Sequence, residues 1–161
     1  MKISYGYRFL PTDDELVLRY LLKKVKGEPL PSQAVIDFEI YGDNDKEPWK
    51  IFGETTTEKF YVFTKLKNKG KGRRIARTAG CGTWKGQRTD LVKDSQNNHV
   101  GFKKLFVFEV KCSGSNNADK GHWLMHEFSL LNDEVRFLIP LPYSSLYFIF
   151  LFFTKYFVFR R

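Results

Sequence analysis

The chain has 161 residues, enough for one domain with a buried core, and its 42% hydrophobic and 28% charged residues describe a globular protein rather than a disordered one. A formal net charge of +9 points to an anionic partner, nucleic acid or a membrane surface. Two cysteines, Cys81 and Cys112, make no disulfide framework, and Lys2 is followed by Tyr5, Gly6, Tyr7 and Arg8 rather than by an apolar leader, so a reducing compartment, cytosol or nucleus, is expected.

The first element is a helix. Thr12-Asp13-Asp14-Glu15 has the spacing of a capping box, and Asp13 and Asp14 suit the positive end of a helix dipole. Leu16, Val17, Tyr20, Leu21 and Val25 then repeat at helical spacing until Gly27 and Pro29, which predicts a helix from about Asp13 to Lys26. Val35, Ile36, Phe38, Ile40 and Tyr41 fit a short helix or a strand equally well, and Asp43-Asn44-Asp45-Lys46 fits a turn. Strands are expected at Phe60–Phe63, Gly101–Val110 and Trp123–Leu130, where aromatic and β-branched residues gather. Strands without helices between them predict an α+β fold with an antiparallel sheet.

The charge is unevenly placed. Residues 1–58 hold 8 basic and 11 acidic side chains, whereas residues 59–93 hold 11 basic ones and one acid, Asp90. A basic segment after an acidic one favours an anion-binding surface over an ordinary solvated face. Lys65, Lys67, Lys69, Lys71, Arg73, Arg74 and Arg77 crowd a glycine-rich stretch suited to phosphates, since neutralising phosphates supplies most duplex affinity. Trp84, Lys85, Gln87 and Arg88 add a bulky anchor and groups that can hydrogen-bond base edges. Gly80, Gly82 and Gly86 would let that strand approach DNA closely and bulge outward.

Six blocks in order resemble the plant NAC domain: Gly6-Tyr7-Arg8-Phe9 with Pro11–Leu16, Asp45–Trp49, Phe60–Phe63, Gly82–Arg88, Gly101–Phe108 and Trp123–Leu130. The resemblance implies a twisted antiparallel sheet packed between helices, within a domain at 1–132. It implies a sequence-specific, double-stranded DNA-binding transcription factor, nuclear and without a cofactor. Its Trp-Lys edge strand would enter the major groove, placing Trp84 and Lys85 in the groove and Lys69, Arg74 and Arg77 on phosphates or nearby base edges. The resemblance also implies a CGT-type core in the DNA. An Arg–Glu pair in the opening block, here Arg8 and Glu15, would hold a homodimer or a heterodimer with other NAC proteins, matching a two-part site. Gly86-Gln87-Arg88 replaces the family's Ala-Thr-Gly, so altered base preference is expected. Ile3-Ser4-Tyr5 stands for its Leu-Pro-Pro, so a short N-terminal arm is expected. An alternative role is a non-activating dimerisation partner.

Other features read more plainly. Cys81, Cys112, His122 and His126 lack the close cysteine pairs of zinc sites, and no catalytic constellation or nucleotide loop is present, so no enzyme is expected. Phe60, Tyr61, Phe63, Phe106 and Phe108 are expected in the core rather than on a base-stacking surface. Residues 133–161 form an apolar tail with no charge from Phe137 to Thr154. It reads as a membrane anchor, interrupted by Pro140 and Pro142, or, more in keeping with its composition, as non-native sequence such as a retained intron.

Overall fold

The computed structural model describes residues 8–53, 59–66, 75–111 and 123–131, with the backbone alone of 147–153. The capping box forms: the Glu15 amide donates to Thr12 Oγ1 at 3.4 Å, and the Thr12 amide donates to Glu15 Oε2 at 2.9 Å. The helical run has three parts, α-helical Asp13–Glu15, π-helical Leu16–Leu21 and α-helical Leu22–Lys26. Gly27 ends it with φ 71°, while the amides of Gly27 and Glu28 donate back to the carbonyls of Lys24 and Lys23. This Schellman cap needs a left-handed residue, which glycine supplies without strain. Leu16, Val17, Tyr20 and Leu21 are buried against Tyr61, Phe63, Val92, Val100, Phe128 and Leu130. Full burial of a Leu or Val side chain contributes about 1.5–3 kcal/mol, so this stripe holds the helix more firmly than its cap.

Among the described residues the sheet has seven strands: β1 (Ile36–Asp37), β2 (Phe60–Lys65), β3 (Thr78–Ala79), β4 (Gly82–Lys93), β5 (His99–Val110), β6 (Leu124–Leu130) and β7 (Tyr147–Phe153). Their order is β1-β2-β7-β6-β5-β4-β3, antiparallel throughout except for the parallel pair β1–β2. The ambiguous stretch Val35–Tyr41 supplies a strand, β1, and no helix; a short helix, Pro48–Phe52, follows the Asp43–Lys46 segment, with its proline in the first turn where the missing amide costs nothing. That helix and its approach cover the other sheet face. There Ile40, Tyr41 and Trp49 pack with Val62, Ala79, Trp84, Phe106, Phe108, Trp123 and Met125. The architecture is therefore α+β, a twisted antiparallel sheet between helical layers, as expected.

By sequence the domain closes at 132, with 133–161 set apart. The backbone of β7 instead lies inside the sheet, paired with β2 from Phe60↔Phe152 to Lys65↔Tyr147 and with β6 from Leu124↔Phe153 to Phe128↔Ile149. A short uncharged run rich in Phe suits a strand with neighbours on both sides as well as it suits an anchor. Among the described residues no helix is long and apolar enough to cross a membrane.

Candidate nucleic-acid interface

The sheet ends in the β3–β4 hairpin, and a buried acid shapes its turn. Ala79 pairs with Gly82, leaving Gly80 and Cys81 as the turn, with Gly80 at φ 54°. The Cys81 amide donates to Glu47 Oε1 at 3.2 Å, and a Cβ on Gly80 would lie 2.2 Å from Glu47 Cδ, so only glycine fits. Burial opposes the Glu47 charge, but its own amide, the Cys81 amide and the Lys50 ammonium hold the carboxyl below its usual value.

Beyond Thr83 no named strand pairs with the outer side of β4 among the described residues, and past the Trp84 amide, which still donates to the Arg77 carbonyl, Lys85–Lys93 forms an edge. Trp84 does not reach that surface. It is 3% exposed, stacked edge-on against Phe108 at 5.1 Å, in the same cluster as Trp49. The expectation that its ring enters a groove is corrected: side chains alternate across a strand, so a buried Trp84 sends Lys85 to the opposite, exposed face. The register then slips between Gly86 and Arg88, leaving Gln87 as an extra, exposed residue. This is the outward bulge that the glycines led one to expect, and it re-aims Gln87 and Arg88. The exposed groups here are Lys85, Gln87 and Arg88, with Lys85 paired to Glu109 and Arg88 Nε to Asp90 Oδ2 at 2.8 Å. A shallow groove of about 560 Å³ runs alongside, lined in part by Ile75, Thr78, Lys85 and Lys111.

Arg77 also departs from expectation. Its guanidinium is 16% exposed and donates to both oxygens of Glu127, which is 1% exposed, and from Nη1 to the Tyr41 hydroxyl at 2.8 Å. It lies 4.2 Å from the Phe106 ring centroid. Burial opposes the Arg77 charge, yet Glu127 and Tyr41 outweigh it, and burial pushes the Tyr41 hydroxyl up. A guanidinium spent on Glu127 is not offered to a phosphate. Its backbone does other work: the Arg77 carbonyl accepts from the Trp84 amide at 3.0 Å and from Thr83 Oγ1 at 3.1 Å. Arg77 thus fixes the point where β4 leaves the hairpin, two residues before Lys85.

Lys69 and Arg74 lie outside the described residues, as do Cys112 and His122 of the zinc question. Among the described residues no three His, Cys, Asp or Glu side chains gather as a metal site would need. Arg8 and Glu15 are both exposed, and Glu15 also closes the capping box. Sequence reasoning passed over Glu47, Asp90, Glu109 and Glu127. One signal was available for Glu127: it shares strand parity with the apolar Trp123 and Met125, which places a carboxylate on a buried face.

A family model described as No apical meristem (NAM) protein matches residues 4–130. The NAC domain-containing protein JA2 of Solanum lycopersicum is 38% identical over 137 residues, covering 83% of this chain and 38% of the relative. NAC domain-containing protein 41 of Arabidopsis thaliana is 31% identical over 134 residues, covering 83% and 48%. NAC domain-containing protein 83 of the same plant is 34% identical over 133 residues, covering 81% and 50%. The chain spans half or less of the length of these relatives. With a family model matched from the capping helix to the end of β6, and a sheet that supports the same blocks, the chain belongs to the NAC family.

Proposed function

We propose that this chain is a nuclear, sequence-specific DNA-binding regulator of transcription that reads double-stranded DNA with the β4 edge and acts as a dimer. The observation that carries the reading is the division of labour along β4, with Trp84 anchored in the core while Lys85, Gln87 and Arg88 stand exposed on a bulged edge. Lys and Arg match guanine O6 and N7 in a major groove, and Gln matches adenine. A sheet edge is also narrow enough to enter that groove, which admits an α-helix or a two-stranded ribbon. Arg8 and Glu15, exposed at the start of the capping helix, are the proposed contact between two copies or with another NAC protein. A two-fold dimer of this kind would pair with two half-sites.

The test uses the full chain with a duplex carrying the CGT-type core and with a scrambled duplex, across a salt series. Cognate binding at least about tenfold tighter than scrambled binding, with both falling steeply in salt, is the expected result. Equal binding to the two duplexes would remove sequence readout from the account and leave a partner role in NAC dimers as the better one.

A further inference from the structure

Two of the three cations of β4, Lys85 and Arg88, are engaged by acids of the same surface, while Lys93 donates to Asn97 Oδ1. Lys85 pairs with Glu109, at side-chain exposures of 53% and 42%, and Arg88 pairs with Asp90, at 66% and 44%. The first pair is cross-strand. Thr83 stands opposite Glu109 and Lys85 opposite Val107, so Glu109 sits diagonally behind Lys85, one strand in from the edge. A pair this exposed adds little to stability.

Resting on the reading of β4 as the DNA-reading edge, we propose that Glu109 is a specificity-determining residue: it holds Lys85 away from phosphates and lets it bind neutral acceptors on base edges. The ammonium has three donors, so Lys85 can keep Glu109 on one N–H and give another to a guanine oxygen or nitrogen. A phosphate makes a different demand. It must draw the ammonium off Glu109 and then sit near an unpaired carboxylate of its own sign, or share the ammonium and meet the same repulsion. Glu109 therefore weakens non-cognate, phosphate-led binding more than cognate binding. Asp90 places the same constraint on Arg88 from within β4.

The experiment is a double-mutant cycle on the full chain with wild type, Glu109→Gln, Lys85→Ala and the double variant, each titrated against cognate and scrambled duplexes over a salt series. Glu109→Gln is expected to tighten scrambled binding roughly two- to fivefold, the range spanned by exposed ion pairs, and cognate binding by less, so that discrimination falls. The salt dependence of scrambled binding should steepen by about one counterion, because one more ammonium meets phosphate. In the Lys85→Ala background the same change should have a smaller effect. Unaltered scrambled affinity in Glu109→Gln, or equal tightening with and without Lys85, overturns the proposal while leaving the β4 reading in place. If Lys85→Ala binds both duplexes like wild type, the β4 reading falls and the proposal with it. Thermal melting of each variant separates these results from misfolding, and Glu109→Ala serves as a second variant if the Gln form melts early.

Discussion

Arg77 is held on three sides, by Glu127, by the Tyr41 hydroxyl and by the Phe106 ring. Removing one partner of a buried pair leaves an uncompensated charge, which costs about 3–5 kcal/mol. Arg77→Ala should therefore lower the unfolding free energy by about 3 kcal/mol in a urea titration, partly relieved by Lys104, whose Nζ is 4.0 Å from Glu127 Oε1. A loss below about 1 kcal/mol would show that the pair is solvated like a surface one. With the larger loss, any fall in DNA binding in that variant traces to the hairpin rather than to a missing phosphate contact. His126 sits among Lys103, Asp13, Arg88 and Asp90, and burial, aided by Lys103, pushes its imidazole down to about 4 from 6.5. Between those values the unfolded chain holds a proton that the native one does not, so stability is full above pH 6.5 and falls as pH drops toward 4. Urea midpoints across that window should fall less steeply in His126→Gln than in wild type. Parallel curves would place the acid sensitivity elsewhere.

At the scale of elements, β7 carries the most consequence, because it joins β2 to β6 through backbone pairing on both sides. Phe150 stands opposite both Val62 and Glu127. Phe150→Pro removes an amide donor in the middle of the sheet, and each backbone group left unpaired there costs about 1–3 kcal/mol. Urea unfolding of the full chain should show a loss of that order; unchanged stability would mean that β7 adds nothing to the sheet. The capping helix was legible because three local signals agree on it, the Thr12 box, the apolar stripe and Gly27. β5 and β6 were legible from their aromatic and β-branched content. β4 was legible only in part: Gly86-Gln87-Arg88-Thr89-Asp90 shows no apolar alternation and one β-former, Thr89, so pairing with β5, not propensity, carries the strand to Lys93. β7 stayed hidden because a short apolar run reads the same as an anchor or as an inner strand. The opposite fates of Trp84 and Lys85 were within reach, since neighbours in a strand cannot share a face. The Arg77–Glu127 pair was not, because 50 residues separate its members and nothing local announces it.

For the molecule as a whole, the +9 charge gives attraction to any duplex, and salt weakens that part most. That net charge already subtracts the carboxylates, including those that match Arg77, Lys85 and Arg88 in place. Sequence preference has to come from side chains that reach base edges, and two neighbouring surfaces would divide the tasks. The β4 edge would face DNA, while the capping helix with Arg8 and Glu15 would face a partner. On the proposed reading Lys85 is the group that β4 delivers to the bases, supported by but separate from the core that holds Trp84. The measurement that tests it most directly is the affinity of Lys85→Ala for cognate and scrambled duplexes, taken beside its melting temperature. Melting should be unchanged, with cognate binding weakened by about 1–3 kcal/mol and scrambled binding weakened less. Cognate preference retained in full by a folded Lys85→Ala protein would contradict it.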